Sequence, residues 1–202
     1  MSWWDSAYRS GPVSWDPGEY DRHLDWLLRT VSIPGRLVLD LGCGAGKSSV
    51  WLAKRGFEVT GIDSASSAIT LAKRAAHSAG LNAHFIAGSF PQALVSPHDA
   101  LRQSFDLITE RASLQHMARG SGLHSIVKRI AEITVHDGVF YSLMLAGEGL
   151  PRSWEIAWSE EAIRALIEPY FEIEHIDRVR FTPGERGSVP AWRTVGRKSV
   201  GT

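Results

Sequence analysis

The sequence predicts an α/β fold: a seven-stranded, mostly parallel sheet with an antiparallel C-terminal strand and helices on both faces. Three observations predict it. Strand-like apolar runs alternate with helical stripes across residues 36–145, the pattern of repeated strand–helix units. The first run, Val38-Leu39-Asp40-Leu41, breaks directly into Gly42, Gly44 and Gly46, as a strand does when it turns tightly into a helix. Two further runs, 171–181 and 191–198, flank a Pro/Gly-rich loop and form an antiparallel pair. In such sheets ligands sit beyond the C-terminal ends of the strands.

The elements follow in order. Residues 1–20 carry Trp3, Trp4, Tyr8, Trp15 and Tyr20 with little periodicity. Two readings stand: aromatics that pack an arm onto the core, or a lid over a ligand. Tyr20, Leu24, Leu27, Leu28 and Val31 share a helical face over 18–31, and Pro34 breaks it. Strands are expected at 36–41, 58–63, 83–87, 105–109 and 139–145. Helices fall at 46–55, at 65–80 with Ala65, Ala68, Ile69, Ala72 and Ala76 inward, and at 121–135. Residues 91–104 read as a loop or short helix. Ser159 caps a last helix that buries Ala162, Ile163, Leu166 and Ile167.

Composition narrows the class. The 202 residues suit one domain with a full core. Lysine and arginine number 22, as do aspartate and glutamate, so the zero net charge argues against general nucleic-acid or membrane-surface partners. Arg178, Arg180, Arg186, Arg193, Arg197 and Lys198 read as a solvated face. A single cysteine, Cys43, fits a reducing compartment, and no signal peptide or long apolar span is visible. The expectation is a cytoplasmic protein, monomeric or homodimeric. The eight histidines show no metal-ligand spacing.

Three glycine-loop chemistries compete at 40–46. A P-loop needs glycine where Leu41 stands, and a dinucleotide fingerprint needs glycine where Lys47 stands. The third reading fits: Asp40-x-Gly42-x-Gly44-x-Gly46 after an apolar strand. It resembles motif I of class I S-adenosylmethionine (SAM)-dependent methyltransferases, which implies a Rossmann-like fold. Asp63 ends the second strand, where a carboxylate can take both ribose hydroxyls. Ser64 follows it, and Ser89 and Phe90 follow strand three, on the adenine side.

The arm carries a narrower resemblance. Trp4-x-x-x-Tyr8-x-x-Gly11 and then Trp15 resemble the N-terminal lid of the thiopurine S-methyltransferase family. Glu110-Arg111-Ala112-Ser113-Leu114 is similar to that family's acid–arginine motif after strand four. The resemblance implies that Trp4 lies against the cofactor, that Trp15 lies near the substrate, and that Arg111 touches both. Tyr8 stands where the family has a second Trp, and Glu110 where it has Asp.

These readings give an expected organisation. Residues 1–202 form a single domain: a lid arm and helix at 1–31, a SAM-binding core at 36–145, and a substrate-side unit at 146–202. The expected activity is SAM-dependent methyl transfer to a small molecule, with a thiol or other soft nucleophile first. Alternatives are a natural-product O- or N-methyltransferase, a non-methylating SAM-binding protein, and a nicotinamide oxidoreductase. Expected cofactor contacts are Trp4, Asp40, Gly42, Cys43, Gly44, Asp63, Ser64, Ser89, Phe90 and Arg111. Trp15 is expected at the substrate, and Arg111 and His116 are the candidate catalytic groups.

Overall fold

A computed structural model describes residues 2–13, 15–16, 18–90, 104–117, 122–146, 158–182 and 187–199. The expectation for 91–104 falls almost wholly outside them, as does Arg186.

The sheet contains β1 (Leu37–Leu41), β2 (Glu58–Asp63), β3 (His84–Ala87), β4 (Phe105–Arg111), β5 (Thr134–Leu145), β6 (Glu172–Phe181) and β7 (Val189–Arg197). Their order is β3-β2-β1-β4-β5-β7-β6. The first five pair in parallel, and β7 runs antiparallel between β5 and β6. The expected sheet is the observed one. The order of connection reverses between β1 and β4, which run parallel and pair as Asp40↔Thr109 and Leu41↔Glu110. Chains leaving neighbouring strands at such a point diverge to opposite faces and leave a crevice between them.

The helices are α1 (Trp3–Ser10), α2 (His23–Thr30), α3 (Lys47–Ala53), α4 (Ser66–Ser78), α5 (Leu114–Met117), α6 (Gly122–Glu132) and α7 (Glu160–Ile167). Leu24, Leu27, Val31, Trp51 and Leu52 from the α2–α3 side pack on Val38, Leu107, Val139 and Tyr141. On the other face Leu123, Ile126, Val127 and Ile130 of α6 join Ile163, Leu166 and Ile167 of α7 against Leu39, Ile108 and Phe140. In α4, Ile69, Ala72 and Ala76 meet Phe85. Strand alternation sends side chains to both layers, so the sheet is covered on both faces.

Several boundaries differ from the expected ones for local reasons. The helix expected from 18 begins at His23, because Asp21 accepts the His23 N–H (3.0 Å) and starts the turn there. The helix expected to run to 135 ends at Glu132, and β5 begins already at Thr134, where Thr134 pairs with Phe105. Ala162 is exposed although its helix is as expected, and Ser159 does accept its N–H at 3.2 Å. The basic C-terminal stretch is not uniformly solvated. Arg193 is buried, pairs with Asp177 at 2.9 Å and lies 3.3 Å over the Trp26 ring. Arg197 pairs with Glu174, and Lys198 donates to the Ala131 carbonyl.

A buried contact ties α2 to the sheet. The Tyr141 hydroxyl donates to Asp21 Oδ2 at 2.6 Å, and both residues are shielded from water. Burial first, then the Asp21 charge, pushes the phenol well above its usual pKa, so it remains a donor through the neutral range. Tyr141→Phe leaves Asp21 without that partner. The expected cost is about 1–3 kcal/mol in urea unfolding, equal at pH 6 and pH 9.

Candidate active site

β1 ends with Asp40 and Leu41 and turns at once through residues 42–46. Gly42 and Gly44 sit at φ +66° and +53°, where a side chain is strained. A Cβ on Gly42 would collide with the Ser113 side chain, and one on Gly44 would stand 2.6 Å from the Tyr8 hydroxyl. The loop's backbone is thus bare toward both the β4 exit and the arm. Ser113 Oγ donates to the Leu41 carbonyl at 2.9 Å, so the two loops of the crevice are tied together.

Asp40 is buried and points away from the loop surface. Its carboxylate accepts from Ser49 Oγ of α3 and, at 3.1 Å, from Thr109 Oγ1 of β4. Burial raises its pKa to about 6, against the lowering by those two hydroxyls. It holds β1, α3 and β4 together beneath the loop. Cys43 donates its N–H to the Ile62 carbonyl at 3.0 Å. Its thiol lies against Gly61, and desolvation pushes its pKa well up, which makes it an inert space-filler.

Asp63 ends β2 beside the loop. Its Oδ2 accepts the Gly44 N–H at 2.9 Å and its Oδ1 accepts the Ala65 N–H at 2.8 Å. Each oxygen keeps a further lone pair for a ligand. Burial raises its pKa, opposed by the two N–H donors. Ser64 and Ser89 are exposed on the same strand-end side. Phe90 is different: it is buried in the α6–α7 core with Leu39, Leu41 and Leu114. Its main visible role is packing, with its backbone at the strand-three exit.

The arm is a helix, which the sequence reading did not contain. Ser2 caps it by accepting the Asp5 N–H at 3.1 Å. The signals were present: a serine three residues before an aspartate, and Trp4 and Tyr8 one helical turn apart. Asp5 is the single buried residue of α1. It accepts from Ser66 Oγ (3.0 Å), Ser67 N (2.9 Å) and Ser67 Oγ (2.8 Å). The first residue before α4, Ala65, offers no side-chain cap, so Asp5 caps that helix from another part of the chain. These bonds, led by the Ser67 N–H, lower the Asp5 pKa.

The arm's rings lie over the crevice. Trp15 meets Trp3 and Trp4 at 5.3 Å and Tyr8 at 6.0 Å, centroid to centroid. Trp4 reaches the His116 ring at 5.2 Å. Arg111 donates to the Trp15 carbonyl at 3.4 Å and stands 5.2 Å over Phe181. The structure therefore assembles Trp4, Trp15, Arg111 and His116 on one side and Gly42, Cys43, Gly44 and Asp63 on the other. Tyr8, not among the expected contacts, joins the two. Its hydroxyl is over Gly44, and burial raises its pKa, so it stays protonated. His116 is held below the usual imidazole pKa by partial desolvation and is neutral at pH 7.

Glu110 is no surface partner of Arg111. It is buried, and strand alternation puts the two on opposite faces. Its carboxylate accepts from Ser113 N (3.0 Å), Leu114 N (3.0 Å), Leu143 N (3.2 Å) and the hydroxyls of Ser113 and Ser142. It fixes the start of α5 and so the placement of His116. Among the described residues no cluster of His, Cys, Asp or Glu suits a metal ion, and no helix is long and apolar enough to cross a membrane.

The chain matches the family described as "Methyltransferase domain" over residues 38–138, half its length. It is 32% identical over 144 residues to a ubiquinone biosynthesis O-methyltransferase of Azoarcus sp. (strain BH72), a match covering 70% of this chain and 57% of that protein. A second, from Hahella chejuensis, is 27% identical over 64% of this chain and 52% of its own length. The chain thus spans about half the length of these relatives. The fold is shared with a structure described for the conversion of a disulfide bond into a thioacetal group during echinomycin biosynthesis. That likeness has a TM-score of 0.79 at 24% identity and covers 98% of this chain and 92% of that one. A SAM-dependent methyltransferase structure from Methanosarcina mazei aligns with a TM-score of 0.72 at 20% identity, covering 90% and 99%. These likenesses do not single out the thiopurine branch. The bare glycine loop, Asp63 beside it and the match across 38–138 agree: the chain belongs to the class I SAM-dependent methyltransferase domain family.

Proposed function

We propose that this protein transfers a methyl group from SAM to a small-molecule nucleophile, with residues 1–202 acting as one catalytic domain. The observation that carries the reading is the Gly44–Asp63 pair: a bare, left-handed glycine backbone bonded to a carboxylate that keeps free lone pairs. A cradle without Cβ atoms fits the methionyl part, and the carboxylate fits a ribose diol. Gly42, Cys43 and Gly44 form the cradle, Ser64 and Ser89 flank the ribose and adenine, and Phe90 backs that side from the core. SAM brings a methyl already activated on a sulfonium, so the protein's task is alignment and exclusion of water.

The arm performs both tasks in this reading. Trp4 and Tyr8 close over the cofactor side, and Trp15 faces the acceptor. Arg111 holds the arm through the Trp15 carbonyl and keeps further donors for an anionic acceptor. A thiolate needs little base help. A hydroxyl acceptor needs a base, and neutral His116 beside Trp4 is placed to serve. The relatives named above act, by their names, as O-methyltransferases, so phenols and catechols stand beside thiols as acceptors to test.

Calorimetry with SAM and with NAD, followed by product assays over thiols, phenols and halides, tests the proposal. SAM binding and S-adenosylhomocysteine release with at least one acceptor class are expected. NAD binding without SAM binding defeats the proposal, and SAM binding without turnover on any acceptor leaves a non-methylating SAM protein instead.

Three residue-level outcomes are expected. Asp63→Ala weakens SAM binding by about 1–3 kcal/mol. Because burial raises the Asp63 pKa, wild-type affinity starts to fall, as pH is lowered, above the range of an ordinary carboxylate. For Asp40, the folded pKa near 6 exceeds the ordinary value of 3.8, so ionisation opposes folding and the penalty is complete above pH 6. Asp40→Asn then raises stability by roughly 2–3 kcal/mol at pH 8 and by much less near pH 4, as thermal melts would show. Asp5 has a lowered pKa, so its latch is present at neutral pH and lost as pH falls through that value. Asp5→Ala should release the arm at pH 7, seen as faster SAM dissociation and red-shifted tryptophan emission. Unchanged emission would mean that the arm docks by its rings alone.

A further inference from the structure

The two sheet edges differ. β3 closes one edge with four residues, and β6 forms the other with ten. Among the described residues no strand lies outside β6. A long edge presents backbone N–H and C=O groups that can template another strand. Its charges are ordered: Glu172 and Glu174 come first, then His175, Ile176 and Asp177, then Arg178 and Arg180. The pattern is antisymmetric about Ile176.

We propose that this edge is a self-association surface, on which two copies pair β6 with β6, antiparallel, about a two-fold axis at Ile176. In that register His175 faces Asp177 of the second copy, Ile173 and Glu174 lie together opposite Arg178, and Glu172 follows opposite Val179. Directly opposed residues share a sheet face, so Asp177 meets His175 and Glu174 meets Arg178, and symmetry repeats both pairs. Competing alignments are worse. A parallel pairing in register sets every charge against its own kind. Moving the axis to Asp177 sets the two aspartates against each other.

The structure prepares the edge for pairing. Glu174 is held by Arg197, Asp177 by Arg193, and Arg180 by Ser188. Side chains already ordered lose less freedom on association. The strand's register shifts between Ile173 and His175. A bulge there sets Ile173 and Glu174 together against one partner position, Arg178.

Sedimentation velocity of the full chain across protein and salt concentration tests this. A dimer is expected that weakens as salt rises. Arg178→Glu with Arg180→Glu makes the strand all acidic and should weaken it at least about tenfold, as should Glu172→Lys with Glu174→Lys. An equimolar mixture of the two variants should restore a heterodimer. Circular dichroism checks that each folds. Should either variant fail to fold, Ile176→Cys decides: mild oxidation should crosslink two copies, whereas the wild type, with Cys43 alone, should not crosslink. A wild type that stays monomeric throughout overturns the proposal. So does a dimer indifferent to the arginine reversals, a mixture that stays monomeric, or an uncrosslinked cysteine variant.

Discussion

The site depends on one carboxylate held where water does not reach. Asp40 sits where β1 leaves the sheet and joins three elements through two hydroxyl donors, Ser49 on α3 and Thr109 on β4. Hydroxyls stabilise a buried charge only partly, so its pKa rises to about 6. The neighbouring Arg111 charge lowers it, and the Asp63 charge raises it. The glycine loop above, the helix that follows and the strand that carries Arg111 thus share one electrostatic anchor.

Glu110 is the counterpart on the opposite face. It receives three backbone N–H groups as well as hydroxyls, and those donors oppose the desolvation that raises its pKa. This carboxylate builds rigidity: it fixes α5 and the end of β5, and through α5 the position of His116. Two adjacent residues of β4 therefore do unrelated work. Glu110 faces the α6–α7 layer, and Arg111 faces the arm. The period of two in a strand decides this, not proximity in sequence.

The sheet was legible because its signals are local and repeated. Apolar runs of strand length, glycine stops and helical stripes located the strands within a few residues and set their order of appearance. The geometry of the glycine loop was legible for a similar reason: Asp40, Gly42, Gly44 and Asp63 lie at the ends of two neighbouring strands, where fold and spacing coincide. The arm was only half legible. Its aromatic content pointed to the site, but its helix depends on Asp5 reaching Ser66 and Ser67, some sixty residues away. No window of sequence contains that contact. Phe90 shows the converse limit, since an aromatic at a strand exit is equally suited to stacking on a ring and to filling the core. Arg193 does too: a basic residue reads as solvated until a tryptophan and an aspartate from other elements surround it.

The way the arm is attached bears on how the site opens. The single buried residue of α1 is a carboxylate, while Trp3 remains two-thirds exposed and Trp4 and Tyr8 are only partly covered. Its fixed points are polar: Asp5 at the start of α4 and the Trp15 carbonyl at Arg111. A segment held by apolar burial opens only with loss of core, but one held by exchangeable hydrogen bonds opens at low cost while the sheet stays folded. The two anchors lie on opposite sides of the crevice, one beside Asp63 and one beside the β4 exit. An arm spanning them bridges the crevice, so under the proposed function water exclusion and acceptor placement would follow from the same docking event.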